Sequence, residues 1–309
     1  MPVKWFICPP DKETIEVDKC LSQRGCRLGE RCSTIPYLRK AAQERPWKRV
    51  TPSQAGTGPR ITYLKQVCDY AINPYDQAFA VIGQGSHGKL STWYLTKGFI
   101  SEEGFSDDLI KGIPDLLEPD EEEIGFHILY DYKTSGSYKV RLALGLTEDT
   151  DNPKIGKGGQ PLKHTSGYKR GKIKYHDKID REYAKKNILD WSLQLNRYRI
   201  VVEHYDFPVS RMICQAIPRD GNTWIATNRG IMECVYLIKI PRLDDKYVLD
   251  FYATLQEDHE RAFESNVPRI CNAWEKWDGR RCKGYCPVSS YCDNMEKDGA
   301  IYKPKEITE

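Results

Sequence analysis

The chain has 309 residues, 39% hydrophobic and 29% charged, with a formal net charge of +3, enough apolar content for one large or two small packed domains and too much for a disordered chain. A balance this close to neutral identifies no partner, so the distribution of charge has to. The opening MPVKWFICPP holds too short an apolar run for a signal peptide and no stretch approaches a membrane span, so the expectation is an intracellular, cytoplasmic protein with no membrane partner.

Residues 1–45 read as a cysteine-rich module that turns helical near STIPYLRKAA. TPSQAGTGPR is a turn-rich linker. Helical patterning runs through ITYLKQVCDYAI and again from about Tyr75 to Leu90, with GQGSHGKL placing His87 at a helix start. Strands are expected at Ile113–Leu117, Ile124–Tyr132 and Tyr138–Leu146, the last because Val140, Leu142 and Leu144 alternate with other residues. GIPDLLEP sets Asp115 after a turn, with Asp107, Asp108, Glu118 and Asp120 as competing carboxylates. FHILYDYKTS is an apolar strand that delivers Asp131 and Lys133 two apart, hence on one face. A carboxylate and an ammonium side by side can bring a divalent cation and a polarised water to a phosphodiester.

Between Lys154 and Lys186 lysines and arginines crowd together with Gly, Tyr and His. Such a loop suits phosphate contacts and base stacking, with Lys169, Arg170, Lys172 and Lys174 as the nucleic-acid candidates; a solvated surface loop is the competing reading. The clearest helix follows: Ile188, Trp191, Leu195, Tyr198 and Val202 form an apolar stripe, and Gln194 and Tyr198 lie four apart on one side. Strands are expected at Met212–Ile217 and Met232–Ile240 around a hairpin-like DGN, then a helix over Leu243–Glu264. The helix, three strands, helix, two strands order defines a core over 46–265, with 266–309 a terminal cysteine segment. There is no internal repeat.

Eleven cysteines in a chain expected inside the cell suggest metal ligands or core thiols, not disulfides. Cys214 and Cys234 sit in apolar runs and read as core. Cys8, Cys20, Cys26 and Cys32 are candidate zinc ligands for a segment with little core of its own. Cys282, Cys286 and Cys292 lie in Gly- and Pro-containing loops able to fold around zinc or an iron-sulfur cluster.

The ordered set of His87, Asp115, the Asp131-x-Lys133 pair and the Gln194-x-x-x-Tyr198 pair resembles the RecB-like branch of the PD-(D/E)XK nucleases, and over roughly residues 50–295 the chain is similar to the iron-sulfur exonucleases associated with CRISPR adaptation. The resemblance implies an α/β restriction-endonuclease-like core, a central mixed sheet flanked by helices, with cysteine-rich terminal segments. It implies Mn2+ or Mg2+ held by His87, Asp115, Asp131 and the Tyr132 carbonyl, Lys133 orienting or helping to deprotonate water, and Gln194 and Tyr198 positioning strand or water. It also implies a 4Fe–4S cluster on Cys282, Cys286, Cys292 and a fourth ligand, for which Cys271, Cys32 and Cys68 all remain candidates. The expected activity is a DNA exonuclease acting on single strands or duplex ends, with a recombination, repair or helicase partner. An inactive nucleic-acid-binding adaptor and a sequence-specific endonuclease of the same fold are the alternatives.

Overall fold

The computed structural model describes residues 3–22, 26–43, 46–90, 92–93, 97–165 and 169–292; the side chain of His87 lies outside the described set. At the amino end β1 (Val3–Ile7) and β2 (Thr14–Glu16) form an antiparallel pair followed by α1 (Val17–Ser22) and α2 (Ile35–Ala41). Helix α3 (Pro59–Val67) starts on a proline, whose missing N–H would have no helical partner there. It leads to β3 (Tyr70–Ile72), which pairs parallel with β1. The amino-terminal segment is therefore built into the body of the protein. Phe6, Val17 and Leu38 share one apolar cluster with Tyr63, Leu64 and Tyr70 and, from the far end of the chain, Ala262 and Val288.

Helix α4 (Ala78–Leu90) precedes β4 (Ile100–Ser101), the small pair β5 (Phe105–Ser106) and β6 (Lys111–Gly112), β7 (Leu116–Pro119) and the long β8 (His127–Ser135). The strand expected over 138–146 is instead a helix, α5 (Ser137–Ala143). Its first turn is fixed by Asp220, which accepts from both the N–H and the hydroxyl of Ser137 at 2.6 Å. It stops at Gly145, with φ of 70°, where a Cβ would run into the Asp180 carbonyl oxygen. The alternation of Val140, Leu142 and Leu144 was a coincidence of a short helix whose buried side takes Val140, Leu142 and Ala143.

β9 (Leu146–Pro153) and β10 (Tyr175–Ile179) form a two-stranded ribbon, and α6 (Arg181–Asn187) connects it to α7 (Leu189–His204). Then come β11 (Val209–Pro218), α8 (Trp224–Asn228) in place of the expected simple hairpin, β12 (Tyr236–Ile240), α9 (Asp245–Ser265) and α10 (Arg280–Gly284). The principal sheet has the order β12-β11-β8-β7-β4; β8 and β11 run parallel and the other neighbours antiparallel. The protein is thus mixed α/β, a mixed sheet flanked by helices. Among the described residues no helix is long and apolar enough to cross a membrane.

Helix α7 lies between two apolar clusters, packing Trp191, Leu195, Tyr198 and Val202 on the sheet side and Leu193 against Val248, Tyr252 and Leu255 of α9. Burial on both sides explains why it buries polar residues too. Arg197 and Arg199 are fully enclosed, each ion-paired, to Asp107 and to Glu203 and Asp245 respectively. A buried guanidinium without such a partner would be costly.

Candidate active site

Strand β8 alternates, so Leu129, Asp131 and Lys133 share the face turned to α7; Leu129 is fully buried and Asp131 is 2% exposed. From α7, Gln194 reaches both members of the pair. Its Nε2 donates to Asp131 Oδ1 at 3.0 Å and its Oε1 accepts from Lys133 Nζ at 2.8 Å. Lys133 Nζ is also 2.7 Å from Asp131 Oδ2. Three side chains from two elements close one ring of polar contacts. Gln194, a solvent-face residue by sequence habit, is buried.

Burial works to lower the pKa of Lys133, but the adjacent Asp131 carboxylate outweighs it and the ammonium is held above its ordinary range. At neutral pH Lys133 is thus a donor and a countercharge, with no free pair to take a proton from water. Burial, and next to it the Asp131 charge, pushes the Tyr198 phenol well above its ordinary value, so it stays protonated. Gln194 Nε2 lies 3.4 Å from that hydroxyl.

Asp115, buried, sits at the start of β7, and its Oδ2 accepts from the Tyr132 N–H at 2.6 Å. That bond ties the carboxylate to the residue between Asp131 and Lys133. Ser101 of β4 donates to the Asp115 carbonyl at 3.0 Å, fixing the same corner from the sheet edge. Asp115, Asp131, Lys133, Gln194 and Tyr198 all line one cleft of about 770 Å³. Of the competing carboxylates, Asp107 is bound to Arg197 and Asp120 to Ser210 and Arg211.

Glu102 also lines the cleft and escaped the sequence reading. It follows β4 in a turn at φ of 53°, a left-handed conformation uncommon for a side chain of this size. Nothing in SEEGFSDD singles it out, because the carboxylate is brought in by the pairing of β4 with β7. The opposite wall comes from α2 and α4 through Lys40, Ala80, Val81, Gln84 and Gly88. His87 belongs to α4 by its backbone, and its side-chain position lies outside the described residues.

The basic segment forms the ribbon of β9 and β10 and its continuation, with bridges Ile155 to Pro161 and Lys163 to Ile173. None of its described residues lines the cleft. Lys169 pairs with Glu148 within the ribbon.

None of the eleven cysteines is in a disulfide. Cys8, Cys20, Cys26 and Cys32 line one small cavity of about 20 Å³, although they come from four separate stretches of chain. Burial, then the neighbouring thiols, raises the pKa of Cys20 and Cys32. At the other end Arg281 is half-buried within electrostatic reach of Cys286, Cys271, Glu275 and Cys282. The Cys271 thiol sits at the start of α3, beside Gly58 and near the Ile61 N–H. Burial, Glu275 and Cys292 push its pKa up to about 11. Cys68 is buried, pushed up to about 11 by burial and Asp69, with no thiol acting on it. Cys214 is fully buried, whereas Cys234, expected in the core, is exposed. The strand expected from Met232 starts only at Tyr236, after Cys234. Among the described residues, no group of three or more His, Cys, Asp or Glu side chains is arranged to hold a metal ion.

No family model matches the chain, and no curated protein matches it. Among solved structures it is similar to one titled "Crystal structure of SSO0001", at 16% identity over 84% of this chain and 92% of that one, with a TM-score of 0.38. A likeness that distant carries no argument about function.

Proposed function

We propose that the protein is a metal-dependent phosphodiester hydrolase of the PD-(D/E)XK kind, a DNA nuclease and most simply an exonuclease. The observation that carries the reading is the closed Asp131, Lys133 and Gln194 ring, with Asp115 beside it, at the base of an open cleft. Two buried carboxylates opening on solvent are poor core residues and suitable hard oxygen donors for Mg2+ or Mn2+. Asp115 and Asp131 would hold the cation, with His87 and the Tyr132 carbonyl as further donors. A cation there supplies charge stabilisation and lowers the pKa of water.

The chain's own groups do the rest. Lys133, fixed by Asp131 and Gln194, presents an ammonium to the charge that develops on a phosphate oxygen. Gln194 keeps that ammonium and the Asp131 carboxylate in register, and the neutral Tyr198 hydroxyl donates to strand or water. Asp115, tethered to the Tyr132 N–H, keeps its orientation as charge in the cleft changes.

A structural iron-sulfur cluster is carried over from the resemblance alone, because among the described residues the thiols near Arg281 are not gathered as a metal-holding group. Cys271, Cys282, Cys286 and Cys292 would hold it, with the guanidinium offsetting thiolate charge. Cys8, Cys20, Cys26 and Cys32 would hold zinc. The raised pKa values of Cys20 and Cys32 mean that a metal must displace protons on binding there, as at thiolate sites.

The test is cleavage of end-labelled single- and double-stranded DNA with Mn2+ or Mg2+ by the wild type, Asp131→Asn and Lys133→Met. Cleavage abolished in both variants supports the reading. A folded, metal-loaded wild type that binds DNA without cutting it replaces it with the adaptor reading.

A further inference from the structure

Beside the cleft runs a second and larger groove of about 930 Å³. The two share Ala41, Gln43, Ser53, Gln77 and Tyr198 as lining, so one opens into the other at the Tyr198 ring. At that junction Gly112 leaves the ring its space: a Cβ there would lie 2.7 Å from Tyr198 Cε1.

The groove's charge is one-sided. Lys48, Arg49, Lys65 and Lys111 line it, and among its described lining residues Asp107 is the sole acid. That carboxylate is already occupied, bound by buried Arg197 at 2.6 and 2.8 Å and by the Leu109 and Ile110 N–H groups. Lys48, Arg49 and Lys111 are exposed and form no ion pair among the described residues. The rest of the lining mixes uncharged Gln, Ser and Thr with apolar and aromatic residues such as Trp47, Pro52, Tyr70 and Ile113. Several cations lining one groove, with uncharged groups among them, fit a repeating anion better than a compact one. The volume is in the small-ligand range, too small to enclose a turn of duplex.

We infer that this groove is the track of a single-stranded polynucleotide, with Lys48, Arg49 and Lys111 on its phosphates, feeding the strand past Tyr198 to Asp115, Asp131 and Lys133. The inference rests on the phosphodiester-hydrolase reading for what happens at the end of the track, and it moves the principal nucleic-acid contact from the basic ribbon to residues in two separate stretches of sequence. A strand in a basic groove binds through counterion release, and each phosphate contact on a single strand contributes a slope of about 0.7 to the dependence of log affinity on log salt.

The experiment is fluorescence anisotropy of the full chain with a labelled oligodeoxythymidylate over a range of NaCl concentrations, in EDTA so that nothing is cut. Lys48→Gln/Arg49→Gln/Lys111→Gln is compared with Lys169→Gln/Arg170→Gln/Lys172→Gln, and thermal melting checks that both fold. The expected result is a groove triple whose salt slope falls by about 2, three contacts at about 0.7 each, with weaker binding at low salt. The wild type is expected to prefer the single strand to its duplex. A groove triple with an unchanged slope, or a wild type that binds duplex as tightly, overturns the inference. A wild type that binds as expected but never cleaves with added Mn2+ or Mg2+ overturns the hydrolase reading alone.

Discussion

A Cβ placed on Gly58 would lie 3.0 Å from Cys271 Sγ, so the loop entering α3 and the cysteine from the far end of the chain occupy adjoining space that only a glycine leaves open. The same Cβ would lie 2.7 Å from Glu275 Oε2. That carboxylate cannot swing away, because Arg269 holds it at 2.8 and 2.9 Å and the Asn272 N–H at 2.9 Å. Gly58→Ala should therefore destabilise the fold by about 1–3 kcal/mol, the usual cost of overpacking. It should also lower iron retained after anaerobic reconstitution, since Cys271 moves. Urea denaturation and metal analysis read the two effects separately.

Gln194→Leu removes a side chain that bonds both Asp131 and Lys133. It should cost about 1–3 kcal/mol for the buried groups left without it, and reduce cleavage by about 10²-fold or more through loss of the ammonium's position. Gln194→Glu places a second carboxylate against Asp131 and should be worse for stability than Leu. A Leu variant with wild-type turnover would show that α7 does not organise the site.

Metal removal should separate two effects. Chelation of Mg2+ or Mn2+ with EDTA is expected to stop cleavage with little change in melting temperature and to reverse on readdition. Loss of the sulfur-held metals is expected to lower the melting temperature, because thiols from both chain ends reach the cluster that includes Val3 and Val288. Visible absorbance of anaerobically purified protein identifies the carboxy-terminal centre; a colourless protein holding zinc alone would discard the iron-sulfur assignment.

His259 provides a pH dependence of known sign. It is fully buried on α9, its Nδ1 2.7 Å from the Leu255 carbonyl and its Nε2 3.1 Å from the Thr62 hydroxyl of α3, with the Trp47 ring stacked at 5.3 Å. Burial lowers its pKa below the ordinary 6.5, an effect only partly offset by the Leu255 carbonyl and by Glu275 and Asp258. The unfolded chain takes up this proton first on acidification. Its stabilising contribution is complete above the unfolded value of about 6.5 and is lost as pH falls through the lower folded pKa. Melting temperatures from about pH 7 to about pH 5 should therefore fall more steeply for the wild type than for His259→Phe, which keeps the stack and cannot titrate.

Much of the framework was legible. β8 and β11 announce themselves as apolar runs, and α7 and α9 as stripes at three- and four-residue steps, because packing against a sheet or a second helix demands those periods. Asp115, Asp131, Lys133, Gln194 and Tyr198, chosen from the sequence, do line one cleft. Where local pattern and distant contacts disagreed, the contacts won. Ser137 enters a helix because Asp220, far along the chain, holds its first turn. Glu102 reaches the cleft through a two-residue strand pairing that has no periodicity to read. The groove cations Lys48, Arg49 and Lys111 are too dispersed to look like a patch, whereas the contiguous lysines of the ribbon look like one and point elsewhere.

The parallel pairing of β1 with β3 has a consequence for how the chain emerges during synthesis. Antiparallel β2 can join β1 at once, but the other edge of β1 waits for β3, and the apolar cover over both waits for Ala262 and Val288. Until Val288 has been made, Val3 and Phe6 are thus held on an incomplete surface, a state open to chaperones and to aggregation. Expression yield should accordingly respond to temperature and to co-produced chaperones more than the size of the finished core alone would suggest.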